Sequence, residues 1–239
     1  MGGIHLTTRG TYYRKYLGVQ SDLTLPTAVS SDSRVGIKPE YMFGMYADKY
    51  GLDIGVVYQN NEFCLFYWSL SDEESGSWHT CIQRGSTADP SIRANPGEKI
   101  TLKAYLNGNK ITCEAIRSNG SKTTLDALLT SEAVEQFQKG AYINRELVIA
   151  ANPKYIVNPC NVYTYNGIFS NGFVTRIGTY EREQLNNSNS TITKLELPEE
   201  DRDGRVNIDK SKIKVLSTEC GYDAYGYSYE KATCDLNQK

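Results

Sequence analysis

Carboxylates are plentiful in this chain of 239 residues and imidazoles nearly absent: 28 Asp and Glu stand beside two His. Any Ser-His-Asp or Cys-His machinery must therefore use His5 or His79. His79 lies next to Trp78 and two residues before Cys81, where it reads as a general base or, more simply, as a structural or surface histidine. Paired carboxylates are the acid–base chemistry of glycoside hydrolysis. Glu62, Glu114 and Glu146 are lone candidates for it on polar strand faces, and no catalytic motif stands out. Oxygen donors alternate through Glu199-Glu200-Asp201-Arg202-Asp203-Gly204-Arg205-Val206-Asn207. That is half a calcium loop, with Asp201 and Asp203 as ligands and Gly204 at the bend. Its closing position would be Lys210, which cannot supply a carboxylate. An acidic turn running into a strand is therefore preferred, and no cofactor is expected. Aromatic residues on polar faces are the remaining lead. Tyr58 and Trp68 fall on adjacent strands, Tyr105 alternates with Lys103, and Tyr142, Asn144 and Glu146 share a strand face. Rings with polar tips beside amides and carboxylates stack on sugars and bond their hydroxyls. Tyr58, Trp68, Tyr105, Glu114, Tyr142, Asn144 and Glu146 are accordingly the expected ligand-binding set. A second aromatic group, Tyr222, Tyr225, Tyr227 and Tyr229, closes the chain, and its last three members alternate.

The elements that must carry these residues are mostly strands. The clearest is a hairpin over 98–116, two alternating apolar/polar runs about Asn107-Gly108-Asn109. A loop at Asn107-Gly108 would set Leu102 opposite Cys113. A loop at Gly108-Asn109 would set Ala104 opposite Cys113 and Lys103 opposite Glu114. Either keeps apolar against apolar. Further strand-like runs are read at 12–19, 41–47, 52–59, 62–69, 78–84, 141–151, 172–180, 191–197, 205–208, 212–217 and 223–229. One helix is read over 125–139, with Thr130 or Ser131 as its cap and Gly140 as its stop. The Asn/Ser run at 186–190 reads as a loop. The whole is expected to be one domain over 1–239, with a core over about 12–218 and a cysteine-bracketed C-terminal hairpin at 219–239.

Composition narrows the classes. A net charge of −2 argues against a nucleic-acid surface, and no apolar run is long enough to span a bilayer. Met1-Gly2-Gly3-Ile4-His5 has neither a basic start nor a hydrophobic core, so any export signal is expected to have been removed. Tyr is abundant, 18 against 6 Phe, and the six cysteines are an even number: Cys64, Cys81, Cys113, Cys160, Cys220 and Cys234. None forms a C-x-x-C pair, so zinc is not expected. The set reads as the disulfides of a secreted protein, with Cys220–Cys234 and Cys64–Cys81 the locally cheap pairings. Buried free thiols packing as small hydrophobes are the alternative.

The Pro96-Gly97-Glu98-Lys99-Ile100-Thr101-Leu102 opening, the Asn107-Gly108-Asn109 turn, the Tyr142-Ile143-Asn144-Arg145-Glu146 strand and the many short strands resemble the concanavalin A-like lectin/glucanase superfamily. Within it they resemble secreted bacterial proteins of the YrpD-like kind, over about residues 41–180. The resemblance implies an all-β, antiparallel two-sheet jelly-roll sandwich with one concave face, where relatives bind or cut polysaccharides. It transfers no catalytic residue. The alternating acidic strand of the retaining glucanases is missing here, as is the Arg/Gln/His/Tyr set of the lyases. The expected function is a secreted, non-catalytic module that binds a polysaccharide or cell-surface glycan. The alternatives are a glycan-active hydrolase or lyase with its acidic pair scattered over several strands, and a structural or protein-interaction domain.

Overall fold

A computed structural model of the chain describes residues 2–34, 36–71, 77–83, 89–151, 156–157, 161–196, 206–207 and 213–237. Apolar and polar residues alternate through most of them, a pattern that lets a pleated strand bury one face and wet the other. In chain order the strands are β1 (Gly2–Thr11), β2 (Tyr16–Thr24), β3 (Ala28–Ser30), β4 (Ile37–Ala47), β5 (Tyr50–Gln59), β6 (Glu62–Ser69), β7 (Lys99–Asn107), β8 (Lys110–Arg117), β9 (Lys122–Leu128), β10 (Tyr142–Ala151), β11 (Ile156–Val157), β12 (Tyr163–Arg176), β13 (Arg182–Gln184), β14 (Ser190–Glu196), β15 (Val206–Asn207), β16 (Val215–Tyr222) and β17 (Ser228–Asp235). The helix among the described residues is α1 (Ser131–Gln138).

Two antiparallel sheets form a sandwich. The first runs β14-β1-β10-β4-β5-β6; the second runs β16-β17-β12-β2-β7-β8-β9, with β3 and β13 also pairing β12. The core lies between them. Ile54 and Val56 of β5, Phe43 of β4, Leu102 and Ala104 of β7, Cys113 of β8 and Phe169 of β12 are all buried there. The rings of Phe43 and Phe169 meet across the sheets at 5.6 Å. Burying one such large side chain stabilises by about 1.5–3 kcal/mol.

The expected hairpin forms in its second register. Ala104 pairs with Cys113 and Lys103 with Glu114, and Gly108 supplies the left-handed turn residue at φ +63. Between the sheets lies a charged network that alternation does not foretell. Arg9 and Arg145 pair in register on β1 and β10 and point inward. Both reach the buried Glu230 of β17, each at 2.5 Å.

Several expectations are corrected. The helix begins at Ser131 with Thr130 as its cap, its side chain accepting from the Ala133 amide at 3.3 Å. Residues 125–128 belong instead to β9, because Leu125 and Ala127 alternate into the core, and pairing with β8 overrides helical preference. Residues 78–83 hold isolated bridges rather than a strand, His79 to Tyr50 and Ile82 to Leu129. The stretch 223–227 is a turn stapled by the Asp223 side chain, so Tyr225 and Tyr227 do not line a strand face with Tyr229. β1 was not anticipated, since Gly2, Gly3 and Gly10 dilute its strand pattern and its inner face carries Thr7 and Arg9.

No disulfide joins Cys64, Cys81, Cys113, Cys220 and Cys234. Register places Cys220 opposite Glu230 and Cys234 opposite Leu216. Cys81 is buried in the inter-sheet core and Cys64 in a separate apolar cluster. The Cys81 thiol, pushed up to about 11 by burial, rests against the Ser69 hydroxyl at 3.2 Å and the Gly51 carbonyl at 3.3 Å. Cys160, Asp201 and Asp203 lie outside the described residues.

Candidate functional site

The outer face of the first sheet gathers acidic groups that the sequence scatters. Three rows cross it. In the first, Tyr142 of β10 pairs with Tyr46 of β4. In the second, Asn144 pairs with Gly44, Gly44 with Asp53 of β5, and Asp53 with Trp68 of β6. In the third, Glu146 pairs with Thr8 of β1 on one side and with Met42 on the other. Side chains of one row stand on one face, and those two residues along the strand stand there too. Alternation thus puts Tyr142, Asn144 and Glu146 beside Tyr46 and Asp53.

Glu146 forms the floor of the site and is only 2% exposed. Its Oε2 meets His5 Nδ1 at 2.6 Å and accepts from the Thr8 hydroxyl at 3.4 Å; its Oε1 accepts from Asn144 Nδ2 at 2.9 Å. His5 and Thr8 would fall on opposite faces of a regular strand. A register shift between His5 and Thr7 places both on this face, the kind of re-aiming that bulges perform.

Asp53 sits on the far side of Gly44. Its Oδ1 accepts from the Tyr46 hydroxyl at 2.9 Å. Burial, and then the negative charge of Glu146, push its carboxyl up to about 7; the Tyr46 hydrogen bond and His5 pull the other way. The same burial, with Asp53 and Glu146 nearby, holds the Tyr46 phenol well above its ordinary value. Gly44 makes the arrangement possible, for a Cβ there would lie 2.1 Å from the Tyr46 hydroxyl. The phenol lies flat over the glycine and so reaches Asp53. Gly10 does the same for Asn144, whose Oδ1 would stand 2.8 Å from a Cβ.

A third acid, Glu40, lies along the same face and is 3% exposed. Lys38 Nζ stands 4.0 Å from its Oε1, which accepts no hydrogen bond among the described residues. Burial pushes its carboxyl up to about 8, with Lys38 partly offsetting this. Exposed rings, Trp68 at 45% and Tyr142 at 43%, stand on the same face.

Of the expected binding set, Trp68, Tyr142, Asn144 and Glu146 share this face. Tyr58 does not: it points inward and stacks edge-on against Phe63 at 4.9 Å. Tyr105 and Glu114 lie on the outer face of the second sheet, across the whole sandwich. There Glu114 accepts from Lys122 at 2.9 Å and from the Tyr105 hydroxyl at 3.4 Å. The seven residues therefore do not form one cleft. His79 is exposed, with its ring edge-on to Tyr50. Sequence reasoning missed Asp53, His5, Tyr46 and Glu40. One signal was present: Asp53 is a lone carboxyl within the apolar run Gly51-Leu52-Asp53-Ile54-Gly55-Val56-Val57, where an unpaired charge is costly. Among the described residues no group of three or more His, Cys, Asp or Glu is placed to hold a metal ion.

The arrangement sets a hydrogen-bond-loaded carboxylate beside a carboxyl that keeps its proton to about pH 7. A carboxyl held protonated by burial, sharing a face with a second carboxyl whose oxygens are held by hydrogen bonds, is the kind of pair that acid–base chemistry uses.

No protein-family model matches the chain, and no curated protein matches it. Solved structures do. Scytalido-glutamic peptidase with a peptide-based transition state analog is 12% identical, with a TM-score of 0.54, and the match covers 98% of this chain and 100% of that one. SCP-B, a member of the Eqolisin family of peptidases in a complex with the tripeptide Ala-Ile-His, is 14% identical, with a TM-score of 0.52 and coverage of 98% and 100%. Likeness at these identities is likeness of fold.

Proposed function

We propose that this chain is a hydrolase that cleaves peptide bonds at acid to neutral pH with Glu146 and Asp53 as its paired carboxyls. The observation that carries the reading is that pair on one partly open sheet face: Glu146 with acceptors engaged by His5, Thr8 and Asn144, and Asp53 pushed up to about 7. Glu146, as the base, takes a proton from water, whose oxygen attacks the carbonyl carbon. Asp53, protonated, hydrogen-bonds the carbonyl oxygen as negative charge builds there. The amide nitrogen then receives the proton collected by Glu146, and the C–N bond breaks. The peptidases that share the fold, one named for glutamic acid and one seen with a tripeptide, support peptide as the substrate class.

A glycan substrate is the second reading, favoured by the exposed rings of Trp68 and Tyr142 on the same face. A binding site built from all seven expected residues is not proposed, because they divide among three surfaces. The test is a panel of peptides and polysaccharides incubated with the full chain from pH 3 to 8. Peptide cleavage that falls by at least ~10²-fold in both Glu146→Gln and Asp53→Asn is expected. Cleavage unchanged in those variants, or none at any pH, overturns the proposal. Reducing-sugar release in its place moves the substrate to glycans.

A further inference from the structure

One polar contact at this face is not explained by the carboxyl pair alone. His5 lies on β1, a strand whose only evident contribution to the acid–base step is the pair of side chains it aims at Glu146. The chain spends a bulge between His5 and Thr7 to bring that imidazole round to the acidic face. Its Nδ1 then stands 2.6 Å from Glu146 Oε2, the shortest of the three polar contacts on that carboxylate. The two residues are 141 positions apart in sequence, so the contact is a product of tertiary folding and not of local turn geometry. The Glu146 side chain is buried while that of His5 is 37% exposed. The imidazole therefore faces solvent on one side and the buried carboxylate on the other.

We infer that His5 is the positioning residue of Glu146, an imidazolium that holds the carboxylate ionised and fixes the direction of its free lone pairs. This rests on the carboxyl-pair reading above. The charged groups around His5 are mostly acidic. Among the described side chains they include Glu146 on β10, Glu40 on β4 with Lys38 beside it, and Asp53 on β5; on β14, Lys194 pairs in register with Thr7. Acidic neighbours favour the charged imidazolium, and an imidazolium next to Glu146 favours the carboxylate. Without it, Glu146 would share a desolvated face with Asp53 and Glu40 and, among the described residues, with no cation in contact, and like charges so placed resist ionisation. The base would then be ready only at higher pH. His5 does not touch the reacting atoms in this scheme; it acts through Glu146.

The experiment has two arms. The first reads no activity. The chain has two histidines, so their side-chain nitrogens can be followed individually by long-range proton–nitrogen NMR as pH is varied, with His5→Asn assigning the pair. In Glu146→Gln the His5 midpoint is expected to fall by about one pH unit while that of His79 stays put. An unmoved His5 midpoint overturns the inference. The second arm reads peptide cleavage against pH. His5→Leu is expected to lower kcat at least ~10-fold at pH 4 with KM within about twofold, and to move the acid limb of the profile up by about one unit. His5→Asn places an amide nitrogen where Nδ1 stood, so it is expected to recover most of kcat near neutrality while keeping the displaced acid limb. An acid limb in the same place in wild type and His5→Leu overturns the inference even where the rate falls. If no substrate is cleaved at any pH but the His5 midpoint still follows Glu146, the proposed function fails and the pairing stands.

Discussion

Glu40 and Asp53 are buried carboxyls whose chemistry departs from solution behaviour, and the departure has a thermodynamic consequence. Burial pushes Glu40 up to about 8 and Asp53 up to about 7. A carboxyl with a raised value in the fold contributes stability fully below its unfolded value, near 4, where both states are protonated. That contribution is lost as pH rises through the folded value, because the unfolded chain ionises freely and the fold resists. The melting temperature should therefore fall as pH rises from about 5 to 8. Glu40→Gln, which cannot ionise, should flatten that fall up to about pH 8, and Asp53→Asn only up to about pH 7. Thermal unfolding followed by circular dichroism across this range checks both; parallel curves for wild type and Glu40→Gln would contradict the burial argument. Asp53 was visible in sequence as an acid inside an apolar run, and Glu146 as a polar-face strand residue. What joins them was not, since the distance between two strands is absent from the alternation within either.

At the scale of elements, the glycines on the acidic face do different work. The three atoms nearest a Cβ at Gly44 would all belong to the Tyr46 side chain, whereas one at Gly55 would meet backbone, the Tyr41 carbonyl at 2.3 Å and the Met42 Cα at 2.6 Å. A ring can swing aside but a paired strand cannot. Gly44→Ala should therefore displace the phenol from Asp53, costing about 1 kcal/mol of stability and most of the activity. Gly55→Ala should cost about 3 kcal/mol by forcing β4 and β5 apart. Urea unfolding beside a cleavage assay separates the two, and equal stability losses would count against the distinction. Element boundaries were legible where chemistry is local: the Thr130 cap, the Gly108 turn and the alternation of β7 and β8. They were misread where partners decide. Residues 125–128 became a strand because β8 offered a free edge, and β1 formed despite its glycines because β10 and β14 flank it on both sides.

For the molecule as a whole, the two sheets are joined by the buried trio Arg9, Glu230 and Arg145 as well as by the apolar core. Ser21 and Ser228 bond Arg145 at 3.0 and 3.2 Å, and Asn187 and Ser190 bond Arg9, each at 3.2 Å. Removing the one anion leaves two guanidinium groups facing each other in the core. Glu230→Gln is therefore expected to destabilise by about 3–5 kcal/mol. Replacing all three by apolar residues of similar volume should cost far less than Glu230→Gln, because no desolvated charge then remains. Denaturant titration of the two variants checks this, and a triple variant as weak as the single one would overturn it. Alternation by itself determined which residues share a strand face, and so an all-β sandwich with Tyr142, Asn144 and Glu146 side by side. It could not say which strands become neighbours. Only the tertiary structure put Asp53 two strands from Asn144, brought His5 across 141 positions to Glu146, and sent Tyr105 and Glu114 to the opposite side of the molecule. The physical reason is that side-chain period is a property of one strand, set by pleat geometry, whereas a site is a property of several. Their order is chosen by the burial of the whole core.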